Sequence, residues 1–204
     1  MFKLAADNRW TTCIMGHARA RRLLGANEDH LPGLTIDLHR LFPGGALREM
    51  EGEEHKTYRR VLLQAVQATP LEAHEAAIRA SIADGLQTLA TDSPDRSAAG
   101  PEIRSVLRRT SSPIFLPLLF GIGRQSPRSA GILAAYRRFG PAAPVYTIRD
   151  PHAAAFAELQ IEVRGLAEEI AHDPRGHPPS LLRHMVTSGT LDETALGNLI
   201  YLFE

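Results

Sequence analysis

Phe156, Leu159, Val163, Leu166 and Ile170 recur at alternating intervals of three and four, which lines them along one side of a long amphipathic helix opened by Asp150-Pro151. A helix side of that kind has to pack on something. The same opening device, a capping side chain and a first-turn proline, stands at Ser126-Pro127 and at Thr69-Pro70, where Glu72 completes a capping box; Gly100-Pro101 is a weaker version. A further box, Thr190-Leu191-Asp192-Glu193, starts a helix whose apolar positions Leu196, Leu199, Ile200 and Phe203 are still in register at Glu204. No glycine, proline or basic turn closes it, so the expectation is a segment interrupted within that helix.

The period differs toward the start. "FKLAADNRWTTCIMG" places two extended runs around Asp7-Asn8, with Trp10, Thr11, Thr12 and Ile14 favouring strand, and predicts a β-hairpin. A helix is expected from His17 to Leu24, ended by Gly25. From Gly25 to Met50 the chain is rich in Pro, Gly, Asp and His and lacks a sustained period, predicting an irregular loop with one short helical turn around Ile36–Phe42. Loops of that length inside compact domains usually serve function. The pattern as a whole is mainly α, a single domain over 1–204, with no internal repeat.

Composition narrows the functional classes. Lys+Arg and Asp+Glu are equal at 23 each, so no summed field draws in nucleic acid or an anionic membrane, and Arg21-Arg22, Arg108-Arg109 and Arg137-Arg138 read as solvated faces. The longest apolar stretch, "PIFLPLLFGI", is too short for a bilayer and holds two prolines. With one cysteine, Cys13, there is no internal disulfide framework; a buried thiol in a reducing, cytoplasmic setting is the expectation.

Candidate chemistry concentrates in "EGEEHKTYRR", Glu51 to Arg60. If a helix begins near Gly52, Glu53 and Glu54 suit the positive end of its dipole, and Glu53 reaches Lys56 at i+3. Arg59 differs, because no carboxylate stands three or four positions away on its own helix. His55 lies one turn before it, and Leu62 and Val66 continue the same side, so the pair is expected at the polar end of an apolar stripe. A guanidinium fork and an imidazole N–H suit a carboxylate, and the stripe suits an apolar body. His17 and Arg21 repeat the spacing, so spacing alone is weakly specific, and solvated or structurally paired side chains are the plainer reading.

Other constellations carry less. His74-Glu75 begins like a zinc-protease helix, but Ile78 replaces the second histidine, which leaves a helix-surface pair. His172, Asp173 and His177 fall in a proline-rich run and read as a solvated loop. In "GIGRQS", Gly121 and Gly123 lack the third glycine and the βαβ context of a dinucleotide-binding turn and read as helix terminators.

"ALREMEGEEHKTYRRVLLQAV", Ala46 to Val66, resembles the loop and C-helix of the cytochrome P-450 family, haem-thiolate monooxygenases in which a histidine or tryptophan and an arginine four residues later bind the haem propionates. His55 and Arg59 occupy those positions. "FKLAADNRWTTCIMG", Phe2 to Gly16, looks like the family's first β-hairpin, "HARARRLL" its B helix, and Leu31 to Leu47 the loop over the substrate pocket. "IRSVLRRTSSPIFLPLLFGI" is similar to the E helix, Arg137 to Arg149 falls near the F–G linker, and "LDETALGNLIYLF" resembles the first half of the I helix. The resemblance thus implies a partial P-450-like fold, B through the first half of I, in an incomplete domain that would be inactive alone. The family's glycine-rich loop with the axial cysteine, its Glu-x-x-Arg pair and its Thr-containing oxygen-activating turn have no counterpart in these residues.

For the complete molecule the resemblance implies haem b, O2, a small apolar organic substrate and a redox partner, either a ferredoxin or a flavoprotein reductase. It implies no catalytic residue and no metal ligand within 1–204. The alternative is a non-catalytic, all-helical binding protein for an acidic apolar ligand.

Overall fold

The computed structural model describes residues 2–6, 9–13, 15–26, 38, 41–91, 99–123, 125–139 and 150–202; of these, the side chains of 2–13, 24–26, 88–91 and 99–109 are outside the description. The chain is mainly helical. Phe2–Ala6 (β1) and Arg9–Cys13 (β2) pair antiparallel, Phe2 opposite Cys13 and Ala6 opposite Arg9. The turn residues Asp7-Asn8 and the burial expected of the Cys13 thiol lie outside the described residues, as do Ile36 and Asp37 of the expected helical turn.

Among the described residues eight α-helices follow: α1 (His17–Ala26), α2 (Gly52–Ala68), α3 (Glu75–Thr91), α4 (Ala99–Phe120), α5 (Pro127–Phe139), α6 (Asp150–His172), α7 (Leu181–Thr187) and α8 (Glu193–Tyr201). α3 packs on α4, α5 on α6, and α7 touches α2, α4 and α6, while α8 lies against α6 and α2. The five apolar positions read for α6 are all buried, and they meet the buried Leu116 and Phe120 of α4, Ile132 of α5, Leu182 and Met185 of α7 and Leu199 and Ile200 of α8 in one core. In α8, every residue from Ala195 to Ile200 is buried, so the middle of this helix is enclosed on all sides.

The glycine after α4 terminates it as expected. Gly121 adopts φ +71° and its N–H donates to Pro117 O at 2.9 Å, the single closure of an αL cap, with a further bond from the Ile122 N–H to Leu116 O at 3.3 Å. Three other boundaries differ from the sequence reading. Gly25 does not stop α1, which runs on to Ala26. Thr69 closes α2 instead of opening the next helix: it is buried, and its hydroxyl donates to Ala65 O at 2.8 Å, after which Leu71–His74 forms a 3-10 turn leading into α3. At α8 the cap is Asp192, which accepts from Ala195 N at 2.7 Å, and Thr190 instead bonds back to the end of α7. Thr190 is held at the end of α7, which leaves the Asp192 carboxylate to meet the orphan N–H groups of α8.

His74 also departs from expectation. It is buried, and its Nε2–H donates to the Pro179 carbonyl at 3.1 Å, so it pins the 3-10 turn to the strand-like run before α7. Its neighbour Glu75 pairs separately with Arg79.

Candidate functional site

α2 starts at Gly52 with Glu53 and Glu54 in its first turn, and Lys56 Nζ meets Glu53 Oε1 at 2.6 Å. Leu62 and Ala65 are buried, with Tyr58, Val61 and the half-buried His55 alongside, and this side of α2 packs on α7 and α8. Arg59 stands one turn beyond His55 and is exposed. Among the described residues neither side chain has a hydrogen-bond or ion-pair partner, so the absence of a local carboxylate read from the sequence is not made good elsewhere in the described fold.

The apolar stripe expected beside this pair is split. Leu62 turns into the core, whereas Val66 is 49% and Leu63 48% exposed. Arg59 and Leu63, with Lys56, Arg60, Gln64 and Gln67, line a shallow depression of about 370 Å³. His55 does not line it. Arg60 was missed at the sequence level although the same test finds it: Lys56, Thr57, Leu63 and Gln64 stand at its pairing distances, and it too has no partner among the described residues. Two unneutralised guanidiniums therefore share one surface with exposed aliphatic side chains.

What holds this turn in place is α8. Tyr58 Oη donates to Asp192 Oδ2 at 2.8 Å, Thr194 Oγ1 to Gly44 O at 3.4 Å, and Arg48 Nη1 to Tyr201 Oη at 3.3 Å. Asn198, 4% exposed, accepts from Leu47 N at 2.6 Å and donates to Gly45 O at 3.3 Å and Thr194 O at 2.8 Å. Phe42 anchors the preceding residues, its ring centroid 4.9 Å from Phe156 and 5.4 Å from Tyr201. The signal available in the sequence was Thr194, Asn198 and Tyr201 at i, i+4 and i+7, a polar line on an otherwise apolar helix.

His172, Asp173 and His177 do not converge on a metal site. Asp173 caps the 3-10 turn Pro174–Gly176 by accepting from Gly176 N at 3.1 Å, and the His177 carbonyl takes Arg183 Nη1 at 2.9 Å. Among the described residues no group of three His, Cys, Asp or Glu side chains is placed to hold a metal ion, and no helix is long and apolar enough to cross a membrane. His17 and Arg21, the second pair with the same spacing, are both exposed on α1. No protein-family model, curated protein or solved structure matches the chain.

Proposed function

We propose that this chain is part of a cytochrome P-450-like monooxygenase and that His55 and Arg59 of α2 bind the propionates of haem b. The observation that carries the reading is the Arg59 guanidinium, exposed and without a partner among the described residues, one turn from a half-buried imidazole. The donor set fits the group. Two N–H-bearing side chains on consecutive turns match two carboxylates, Glu53 of the same helix is already engaged by Lys56, and exposed Leu63 and Val66 offer apolar surface beside the cations.

With a cysteine thiolate from outside these residues, haem would supply activation of O2 and insertion of one oxygen atom into a small apolar substrate, using electrons from a ferredoxin or flavoprotein reductase. The residues of this chain have other tasks. Arg59 presents a fixed fork of donors, His55 donates from its ring N–H, and burial of the α8 side of the helix lowers the mobility of both. The order of elements is compatible with the same reading: a strand pair, then α1, α2, α4 and α8 over the stretches that resemble the B, C, E and first half of the I helix.

Haem titration of the intact protein and of its His55→Ala, Arg59→Ala and Arg60→Ala variants tests this. The expected result is weakened binding for the first two and near-normal binding for the third, with the absorption of a thiolate-ligated reduced CO complex in the parent protein. Equal losses at Arg59 and Arg60 without that absorption would instead favour the non-catalytic binder of an acidic apolar ligand.

A further inference from the structure

The stretch from Gly44 to Tyr58 is held to one helix at both ends. Thr194 and Asn198 take its first residues, Tyr201 takes Arg48, and Asp192 takes Tyr58, with His55 and the first turn of α2 between them. Asn198 is the centre of this attachment. Its side-chain amide meets the Gly45 carbonyl and the Leu47 N–H together, as a neighbouring strand's peptide group would, while Nδ2 keeps a second bond to Thr194 O within α8. From Leu47 the chain continues through a turn closed by Glu49 N and Met50 N on Ala46 O, and Glu51 O then accepts from His55 N. Beyond the two bonds of the Asn198 side chain itself, every link to His55 is thus a backbone hydrogen bond or a short run of chain.

We propose that Asn198 is the positioning residue for the His55–Arg59 turn: by fixing Gly45 and Leu47 to α8 it sets where the imidazole and guanidinium stand. The ligand in this proposal rests on the haem reading above, but the positioning does not. Asn198 touches neither side chain and acts through the backbone of 45–55. A substitution that keeps the acceptor, Asn198→Asp, retains the bond from Leu47 N–H and loses the two donated by Nδ2; Asn198→Leu, of similar size, loses all three.

Two measurements on the intact protein separate the outcomes. Without ligand, nuclear magnetic resonance of the histidine rings should show the His55 resonances displaced in Asn198→Asp and more so in Asn198→Leu, with the exposed His172 unchanged. With ferric haem as the probe, Asn198→Leu should weaken binding about tenfold in the parent background and have little further effect in Arg59→Ala, because the lost energy is that of a guanidinium already removed. An equal loss in both backgrounds, or unmoved His55 resonances in either variant, overturns the proposal. Unchanged haem affinity in Arg59→Ala with displaced His55 resonances would instead sink the haem reading and leave the positioning role standing. If Asn198→Leu does not fold, Asn198→Asp supplies both readouts.

Discussion

The Tyr58 hydroxyl donates to Asp192 Oδ2 at 2.8 Å while the other oxygen of the same carboxylate caps α8, so one aspartate joins α2 to the first turn of α8. Burial, and then the neighbouring Asp192 carboxylate, raises the Tyr58 pKa above its ordinary value of 10.0, with the nearby Thr194 hydroxyl opposing the shift. The folded state therefore holds this proton more tightly than the unfolded chain. Its contribution to stability is complete below about pH 10 and is lost as pH rises through the elevated folded value. Denaturant midpoints measured from pH 8 upward should fall on the alkaline side, and Tyr58→Phe should flatten that limb while costing about 1 kcal/mol at neutral pH. Asp192→Ala loses the cap as well and should cost about 1–2 kcal/mol.

Charge alone does not explain Arg59. A lysine at this position retains the cation but loses the planar fork, so Arg59→Lys should recover only part of the haem affinity lost in Arg59→Ala, leaving a deficit of about 1 kcal/mol. Full recovery, read by the same titration, would mean that a point charge suffices and that no paired donors face a carboxylate.

Gly121 and Gly123 lie two residues apart and should respond very differently to alanine. At Gly121, φ is +71° and a Cβ would stand 3.2 Å from both Pro178 O and Ser180 Oγ, whereas a Cβ at Gly123 would meet nothing within 4 Å. Gly121→Ala should therefore cost about 1–2 kcal/mol in urea denaturation, and Gly123→Ala close to nothing.

The buried bond from His74 to Pro179 predicts that His74→Ala lowers stability by about 2 kcal/mol, since it leaves the Pro179 carbonyl without that donor and opens space between the 3-10 turn and α7. Glu75→Ala removes only an exposed pair with Arg79 and should stay within about 0.5 kcal/mol. Comparable small effects for both would restore the reading of these neighbours as a surface pair.

Where one helix side alone decides the outcome, the sequence was readable. The spacing of Phe156 to Ile170 locates α6 and its buried side, and the glycine at Gly121, with its positive φ, marks the end of α4. Competition between nearby caps was not readable: Thr190 and Asp192 both fit the start of α8, and only the placement of the α7 end decides which of them the N–H groups meet. The lack of a carboxylate beside Arg59 was readable because it concerns residues within one turn of helix. Its apolar companion was misassigned because Leu62 and Val66 share a side in projection, yet only Leu62 has α7 and α8 to pack against. His74 was misread for a similar reason, since its partner lies 105 positions away in a carbonyl group, which carries no side-chain signature.

Leu47 and Asn198 are 151 positions apart, and that interval is also a time. During translation, at roughly 5–20 residues per second, the segment leading into α2 emerges and then waits on the order of ten seconds before α8 has been made to receive it. Until then Leu38, Leu41 and Phe42 lack part of the surface that covers them, and a ribosome stalled before Asp192 should carry a nascent chain open to proteases and to chaperones at that segment.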